Sequence, residues 1–267
     1  MSAGRGFLRG LAVSTARWVP AAALERVACA LLAAKARGLP PAAALRLLLR
    51  VDQRLYALEG EHAIRYGEGL HVKHRLTRYH EFFTAHVKPG ERVLDIGCGV
   101  GAVAYDVAQA TGAAVTGIDL DARKIAQAAA RFHHPRLTFL VGDALAELPD
   151  GTWDVVVLSN LLEHLEDRVG FLRRVEARLH PARTLIRVPM FERDWRVPLK
   201  QELGVECRLD PTHQIEHRAE ALMEELRQAG LAVTQSLIRW GECWAVCVPA
   251  SPAAPSDAVA CDANRHA

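Results

Sequence analysis

The chain has 267 residues, half of them hydrophobic and 24% charged, with 33 Lys and Arg against 31 Asp and Glu. That length suits one medium-sized globular domain with an appendage, and the lack of any run of 18 or more uncharged apolar residues argues against a membrane-spanning helix. The charge is uneven: residues 1–90 carry 14 Lys and Arg against 6 Asp and Glu, the remainder 19 against 25, giving a basic front on a mildly acidic body.

The early apolar segments Phe7–Val19 and Val27–Ala34 are flanked or broken by Arg9, Arg17, Arg26 and Lys35, a poor fit to a secretory signal, so a cytoplasmic location is expected. Ala21–Arg37 reads as a helix that ends at Gly38-Leu39-Pro40-Pro41, and Ala42–Leu58 as a second, with Leu45, Leu48, Leu49, Leu55 and Leu58 near helical spacing. The two helices either pack on the main domain or make a peripheral membrane contact, with Arg46, Arg50 and Arg54 toward lipid phosphates. The stretch from Gly67 to His80 is rich in cations and histidines (His71, Lys73, His74, Arg78), and on one helix Val72, Leu76, Tyr79 and Phe83 would share a face.

From residue 91 strands and helices alternate. Strands are expected at Arg92–Asp95, Val115–Asp119, Leu137–Gly142, Trp153–Ser159 and Thr184–Pro189, with helices at Val100–Ala110, Ala122–Phe132, Asp167–His180 and His217–Ala229. Val233–Trp240 and Glu242–Pro249 flank Gly241 as a hairpin, so an otherwise parallel sheet should end antiparallel. The six Cys show no CxxC spacing, and Cys243 and Cys247 read as buried free thiols on one strand face. Ser251–Ala267 is small, polar and Pro-bearing and reads as disordered. The expected organisation is a helical extension over 1–66, a catalytic domain over 67–249 and a disordered tail over 250–267.

The chemistry is concentrated in Val93-Leu94-Asp95-Ile96-Gly97-Cys98-Gly99-Val100-Gly101, where a strand runs into a glycine-rich turn that opens a helix. With Ala102 the loop also satisfies the GxGxxA form of a dinucleotide fingerprint. Asp95 separates the two readings, because a carboxylate at that place repels a pyrophosphate and attracts an ammonium group. Asp119 ends the next strand, where an acid can accept both ribose hydroxyls, and Asp143 ends the third, within reach of an adenine amino group.

These motifs, with Trp153–Val157 and Leu161-Leu162-Glu163-His164-Leu165, resemble the class I S-adenosylmethionine-dependent methyltransferases over about residues 68–249. The resemblance implies an α/β fold, a Rossmann-like seven-stranded sheet whose final strand is antiparallel, and S-adenosylmethionine as cofactor. It implies that Asp95, Gly97, Gly99 and Gly101 hold the methionine part, Asp119 the ribose, and Asp143 with Leu120 and Ala144 the adenine, and it places Asn160 in the cofactor-binding set.

Sulfonium methyl transfer is an in-line displacement, so the protein positions a nucleophile and supplies a base where that nucleophile carries a proton. His164, just past the fourth strand, and His213, within Asp210-Pro211-Thr212-His213-Gln214-Ile215-Glu216-His217, are the candidate catalytic residues. Phe191–Trp195 is expected to line the acceptor pocket, with Trp195 as a stacking surface. The two histidines and acid of the Asp210–His217 segment could serve as base and orienter, or could coordinate a metal with Glu163 and His164. Glu163-His164 resembles part of the metal-binding pattern of small-RNA 2′-O-methyltransferases and ubiquinone-pathway O-methyltransferases, but Asn160 stands where those carry a further acid, so no metal is assigned.

No nucleobase-amine Pro-Pro-aromatic box follows the fourth strand, no Pro-Cys nucleophile is present, and the body is net acidic, all of which count against a nucleic-acid acceptor. The expected acceptor is a small, lipid-linked or sugar-linked molecule methylated on oxygen, a layout resembling bacterial methyltransferases of glycoconjugate or quinone biosynthesis. The competing readings are an RNA or nucleotide methyltransferase that uses the basic front, a dinucleotide oxidoreductase, and a non-catalytic cofactor-binding adaptor.

Overall fold

A computed structural model of the chain describes residues 18–251. The disorder expected from Pro252 onward and the apolar segment up to Arg17 lie outside the described residues. The described residues group into two units, one holding the chain up to Gly60 with Leu199–Glu206, the other Glu61–Pro198 and the chain from Cys207 on.

In the first unit, α1 (Ala21–Arg37) and the first twenty residues of α2 (Pro41–Tyr66) are separated by the Gly38-Leu39-Pro40 break. The helix α2 continues to Tyr66 rather than stopping at Leu58, because Glu59, Glu61, Ala63 and Arg65 sustain it by propensity after the leucine spacing ends. Of the residues in these two helices only Leu49 is buried. Arg46 Nε donates to Leu203 O at 2.9 Å and Lys200 Nζ lies 3.6 Å from Asp52, tying 199–206 to α2. Among the described residues no helix is long and apolar enough to cross a membrane.

The second unit is built on seven strands: β1 (Arg92–Ile96), β2 (Ala114–Asp119), β3 (Leu137–Val141), β4 (Val155–Ser159), β5 (Arg183–Pro189), β6 (Leu231–Arg239) and β7 (Glu242–Pro249). Their order is β3-β2-β1-β4-β5-β7-β6. The first five run parallel, and β7 pairs antiparallel with both β5 and β6. The hairpin turn falls at Trp240 and Gly241, whose φ values of +57° and +73° are those a tight two-residue hairpin requires. The expected α/β sheet with its reversed final strand is therefore present.

The strands alternate between two cores, which is why they read as unbroken apolar runs. Val155, Val157 and Leu185 pack with Phe82, Phe83, Val103 and Val107 of α4 (Tyr79–Ala85) and α5 (Ala102–Thr111). On the other face Val156, Leu158, Ile186 and Val188 pack with Phe171, Leu172 and Val175 of α7 (Arg168–Leu179) and with Leu222 and Leu226 of α9 (Ala219–Gln228). The remaining flanking helix, α6 (Ala122–Arg131), buries Ile125 and Ala128, and Cys243 and Cys247 are buried as free thiols.

Two local expectations change. Leu76, Tyr79 and Phe83 do not lie on one helix, because Arg78 takes a left-handed φ of +56° and divides the segment into α3 (Lys73–Thr77) and α4. Tyr79 and Phe83 are then buried while Leu76 is 59% exposed. A short helix that the apolar pattern did not indicate, α8 (Arg196–Glu202), follows the Phe191–Arg193 turn.

Candidate functional site

The sheet reverses its direction of growth between β1 and β4, and in open α/β sheets such a point leaves a crevice at the carboxyl ends of the strands. Here a cleft of about 410 Å³ is lined by Gly97, Gly99, Asp119, Leu120, Asp143, Ala144, Asn160 and His164, among others. Eight of the expected site residues thus share one cavity wall. Asp95, Gly101 and His213 are not among its lining residues.

Gly97 and Gly99 hold positive φ and present backbone to the cleft. Gly101 is a packing position: a Cβ there would stand 2.5 Å from Phe139 Cζ and 2.9 Å from the Ala128 methyl, so its bare backbone lets α5 start against β3 and α6. Asp119, 8% exposed, is held by two backbone donors, Gly99 N to Oδ2 and Asp121 N to Oδ1, both at 2.9 Å. These bonds fix the carboxylate at the cleft edge. Leu120 is 73% exposed and forms the rim, and Asp143 Oδ1 accepts from Leu145 N.

Asp95 is 2% exposed, and both carboxylate oxygens are buried without a hydrogen-bond partner. Burial, reinforced by the negative charge of Asp119, pushes its carboxyl up to about 7. Asn160, at the end of β4, adopts a φ of +55° and buries an equally unpartnered Oδ1. Buried acceptors left open beside a cleft are places for donors from a ligand. The carboxylates Asp119, Asp121 and Asp143 line the cleft with one ammonium, Lys124, so its charge is suited to a neutral or cationic nucleoside.

A second constellation adjoins the cleft. The turn Leu162–His164 and the loop before α9 bring His164 and His213 together edge to face, with ring centroids 4.8 Å apart. Thr212 Oγ1 donates to Asp210 Oδ1 at 2.6 Å, so it accepts from His164 Nδ1 at 3.0 Å. His213 Nδ1 donates to Glu216 Oε1 at 2.9 Å, and Glu216 is itself paired with Arg193. Both imidazoles are thereby anchored through Nδ1, leaving each Nε2 as a lone-pair acceptor. Burial and the neighbouring His213 hold His164 below the usual histidine range.

Between them Glu163 is wholly buried with neither oxygen bonded, and burial pushes its carboxyl up to about 7. One donor atom each from Glu163, His164 and His213 lies within 4.8 Å of the others, a set whose chemistry fits a divalent cation. The sequence reading assigned no metal on the strength of Asn160. The set joins Glu163 and His164 to His213, 49 positions after His164, which is the metal-binding alternative that the sequence left open, without His217.

The residues that sequence reasoning missed lie under the α3–α4 break. Arg187, 2% exposed, is paired with Glu242, donates to Ser159 Oγ at 3.3 Å and stacks 3.6 Å from the Tyr79 ring. Tyr79 Oη bonds His74 Nδ1 at 2.9 Å, His74 meets His80 Nε2 at 2.8 Å, and His80 Nδ1 meets Asp106 at 2.5 Å. Burial and the cations around it push His74 down to about 3. This chain of bonds braces the end of β5 against α3 and α4. Its only sequence signal was the density of histidines around His74. Trp195, expected as a stacking surface, is 73% exposed.

Residues 93–182 match a family model described as a methyltransferase domain. Residues 93–182 thus carry a methyltransferase domain. S-adenosylmethionine is the cofactor of that domain, and the unsatisfied Asp95 carboxylate and the acidic cleft fit it. The chain is 36% identical over 139 residues to a ribosomal protein L11 methyltransferase of Ralstonia pickettii, covering 51% of this chain and 44% of that protein. It is 30% identical over 159 residues to a 2-methyl-6-phytyl-1,4-hydroquinone methyltransferase of Synechocystis, covering 55% and 48%. The match therefore spans under half the length of each of these curated relatives. Among solved structures, the magnesium protoporphyrin IX methyltransferase of Synechocystis with bound S-adenosylhomocysteine has the same fold, with a TM-score of 0.53, 20% identity and coverage of 65% of this chain and 83% of that one.

Proposed function

We propose that this chain transfers the methyl group of S-adenosylmethionine to an oxygen of a small, lipid-linked or sugar-linked acceptor, with residues 67–249 as the catalytic domain. When bound, the cofactor supplies an electrophilic sulfonium methyl. Asp95 and the backbone of Gly97 and Gly99 take its methionine part, Asn160 Oδ1 accepts from the amino group, Asp119 takes the ribose hydroxyls, and Asp143 with Leu120 and Ala144 takes the adenine. Gly101 serves by letting the loop close.

The observation that carries the acceptor reading is the anchored histidine pair. A hydroxyl acceptor must lose a proton as it attacks, and two imidazoles with free Nε2 atoms beside the cleft provide bases for it. His164, which lines the cleft, is the nearer candidate, and His213 supports it. The phytyl-hydroquinone named for one relative is a small lipid-like acceptor, in keeping with this class. Transfer of labelled methyl from S-adenosylmethionine across quinone, lipid, sugar and RNA fractions tests the reading. Label in an alkali-stable ether of a small or lipid-linked molecule is expected; label in RNA alone contradicts it.

The unbonded Glu163 favours a second arrangement, in which Glu163, His164 and His213 hold a divalent cation that orients the acceptor oxygen. Titration with Mn²⁺, read by water-proton relaxation, distinguishes it: binding lost in Glu163→Gln supports the cation, and no binding leaves the histidines as the bases.

A further inference from the structure

The arginines of the basic front have a definite place. On α2, Arg46, Arg50 and Arg54 recur every four residues, so they stack along one face about 6 Å apart. They line a groove of about 500 Å³ with Gln53, Ala57 and the backbone turn Leu203–Glu206. Arg46 spends its Nε–H on Leu203 O and Arg50 its Nε–H on Arg46 O, which fix both stems and leave their terminal nitrogens open to the groove.

Among the described residues none of the three has an acidic partner. Asp52, the acid on the same stretch of helix, lies 3.6 Å from Lys200, and Glu206 contributes the one carboxylate at the groove wall. Like charges four apart on a helix repel, so three unneutralised guanidiniums in a row call for a counter-charge. Guanidinium forks match the oxygens of a tetrahedral anion. Gly204, with a φ of +64° and open space at its Cβ position, keeps the far wall low.

We propose that this groove binds a phosphate group, as a mono- or diester, through Arg46, Arg50 and Arg54. The groove shares no lining residue with the cofactor cleft, and its test does not depend on the methyl-transfer reading. The full-length protein is titrated with glycerol 3-phosphate by calorimetry and sedimented with phosphatidylcholine vesicles, with and without 30 mol% phosphatidylglycerol. Wild type is compared with R46Q/R50Q/R54Q and with a charge-matched control, R26Q/R37Q/R65Q.

The expected result is binding to at least one phosphate probe, weakened at least tenfold in the groove variant and unchanged in the control, with circular dichroism and S-adenosylhomocysteine affinity preserved in both. Binding of the free ester assigns a soluble ligand; binding of the anionic vesicles alone assigns a lipid head group. Absence of binding to either probe, retention of affinity by the groove variant, an equal loss in the control, or binding to a short RNA but neither probe would overturn the proposal.

Discussion

Replacing Asp95 by Asn should raise the stability of the cofactor-free protein at alkaline pH while weakening its hold on S-adenosylhomocysteine. The buried carboxyl goes from 3.8 to about 7 on folding, which at roughly 1.36 kcal/mol per pH unit amounts to about 4 kcal/mol held against the folded state once the group is ionised. Because the folded value lies above the unfolded one, the folded state prefers the protonated acid, and stability is lost as pH rises from about 4 to about 7. Asn keeps the volume and removes the titration. Its advantage over wild type should grow by about 3 kcal/mol between pH 5 and pH 8, since most of that window lies below the folded value. Glu163 titrates in the same range but is common to both proteins and cancels in the difference. Denaturant unfolding at the two pH values provides the assay. Ligand binding has the opposite sign: an ammonium group favours the ionised form, so wild-type affinity should rise with pH through 7. The Asn variant should be flat and about 10- to 100-fold weaker at pH 8, as for a lost hydrogen bond to a charged group. An Asn variant no better at pH 8 than at pH 5, relative to wild type, would refute the reasoning.

Other expectations follow from the same contacts. Gly101→Ala should destabilise by about 2–4 kcal/mol, from a left-handed φ and a collision with Phe139, measured as a lowered denaturation midpoint. Arg187→Met should cost about 3–5 kcal/mol by leaving the half-buried Glu242 without its cation, with Trp244 Nε1 as its remaining donor, and Arg187→Met with Glu242→Leu should recover much of it; a double variant no better than the single one would contradict the pairing. His164→Ala should lower kcat for an oxygen acceptor by roughly 10²–10⁴ while the cofactor KM stays within a few-fold. A change confined to the cofactor KM would remove His164 from proton transfer.

The sheet was legible because its central strands are apolar on both faces and most successive strands are separated by helices of ordinary length, so Val155–Ser159 and the hairpin about Gly241 announced themselves. The cleft was legible for a related reason: Asp95, Asp119 and Asp143 each stand at or just past the carboxyl end of an apolar strand, and those strands lie side by side. What depended on tertiary approach was hidden. Nothing local forecast that Arg78 would turn left-handed and split its helix, since that turn is held by the burial of Tyr79 against Arg187 on β5. The His164–His213 pairing rests on a loop folding back through Thr212 and Glu216. Gly101 looked like its two neighbouring glycines, yet the reason for its missing side chain is Phe139, 38 positions later in the chain.

The central claim is that the acidic cleft at the ends of β1 to β4 is built for S-adenosylmethionine. Calorimetric titration of the full chain with S-adenosylhomocysteine, set beside NAD and NADP, tests it most directly. The account predicts one site per chain, binding lost in Asp119→Ala, and no heat from either dinucleotide. Binding of a dinucleotide without S-adenosylhomocysteine would contradict it.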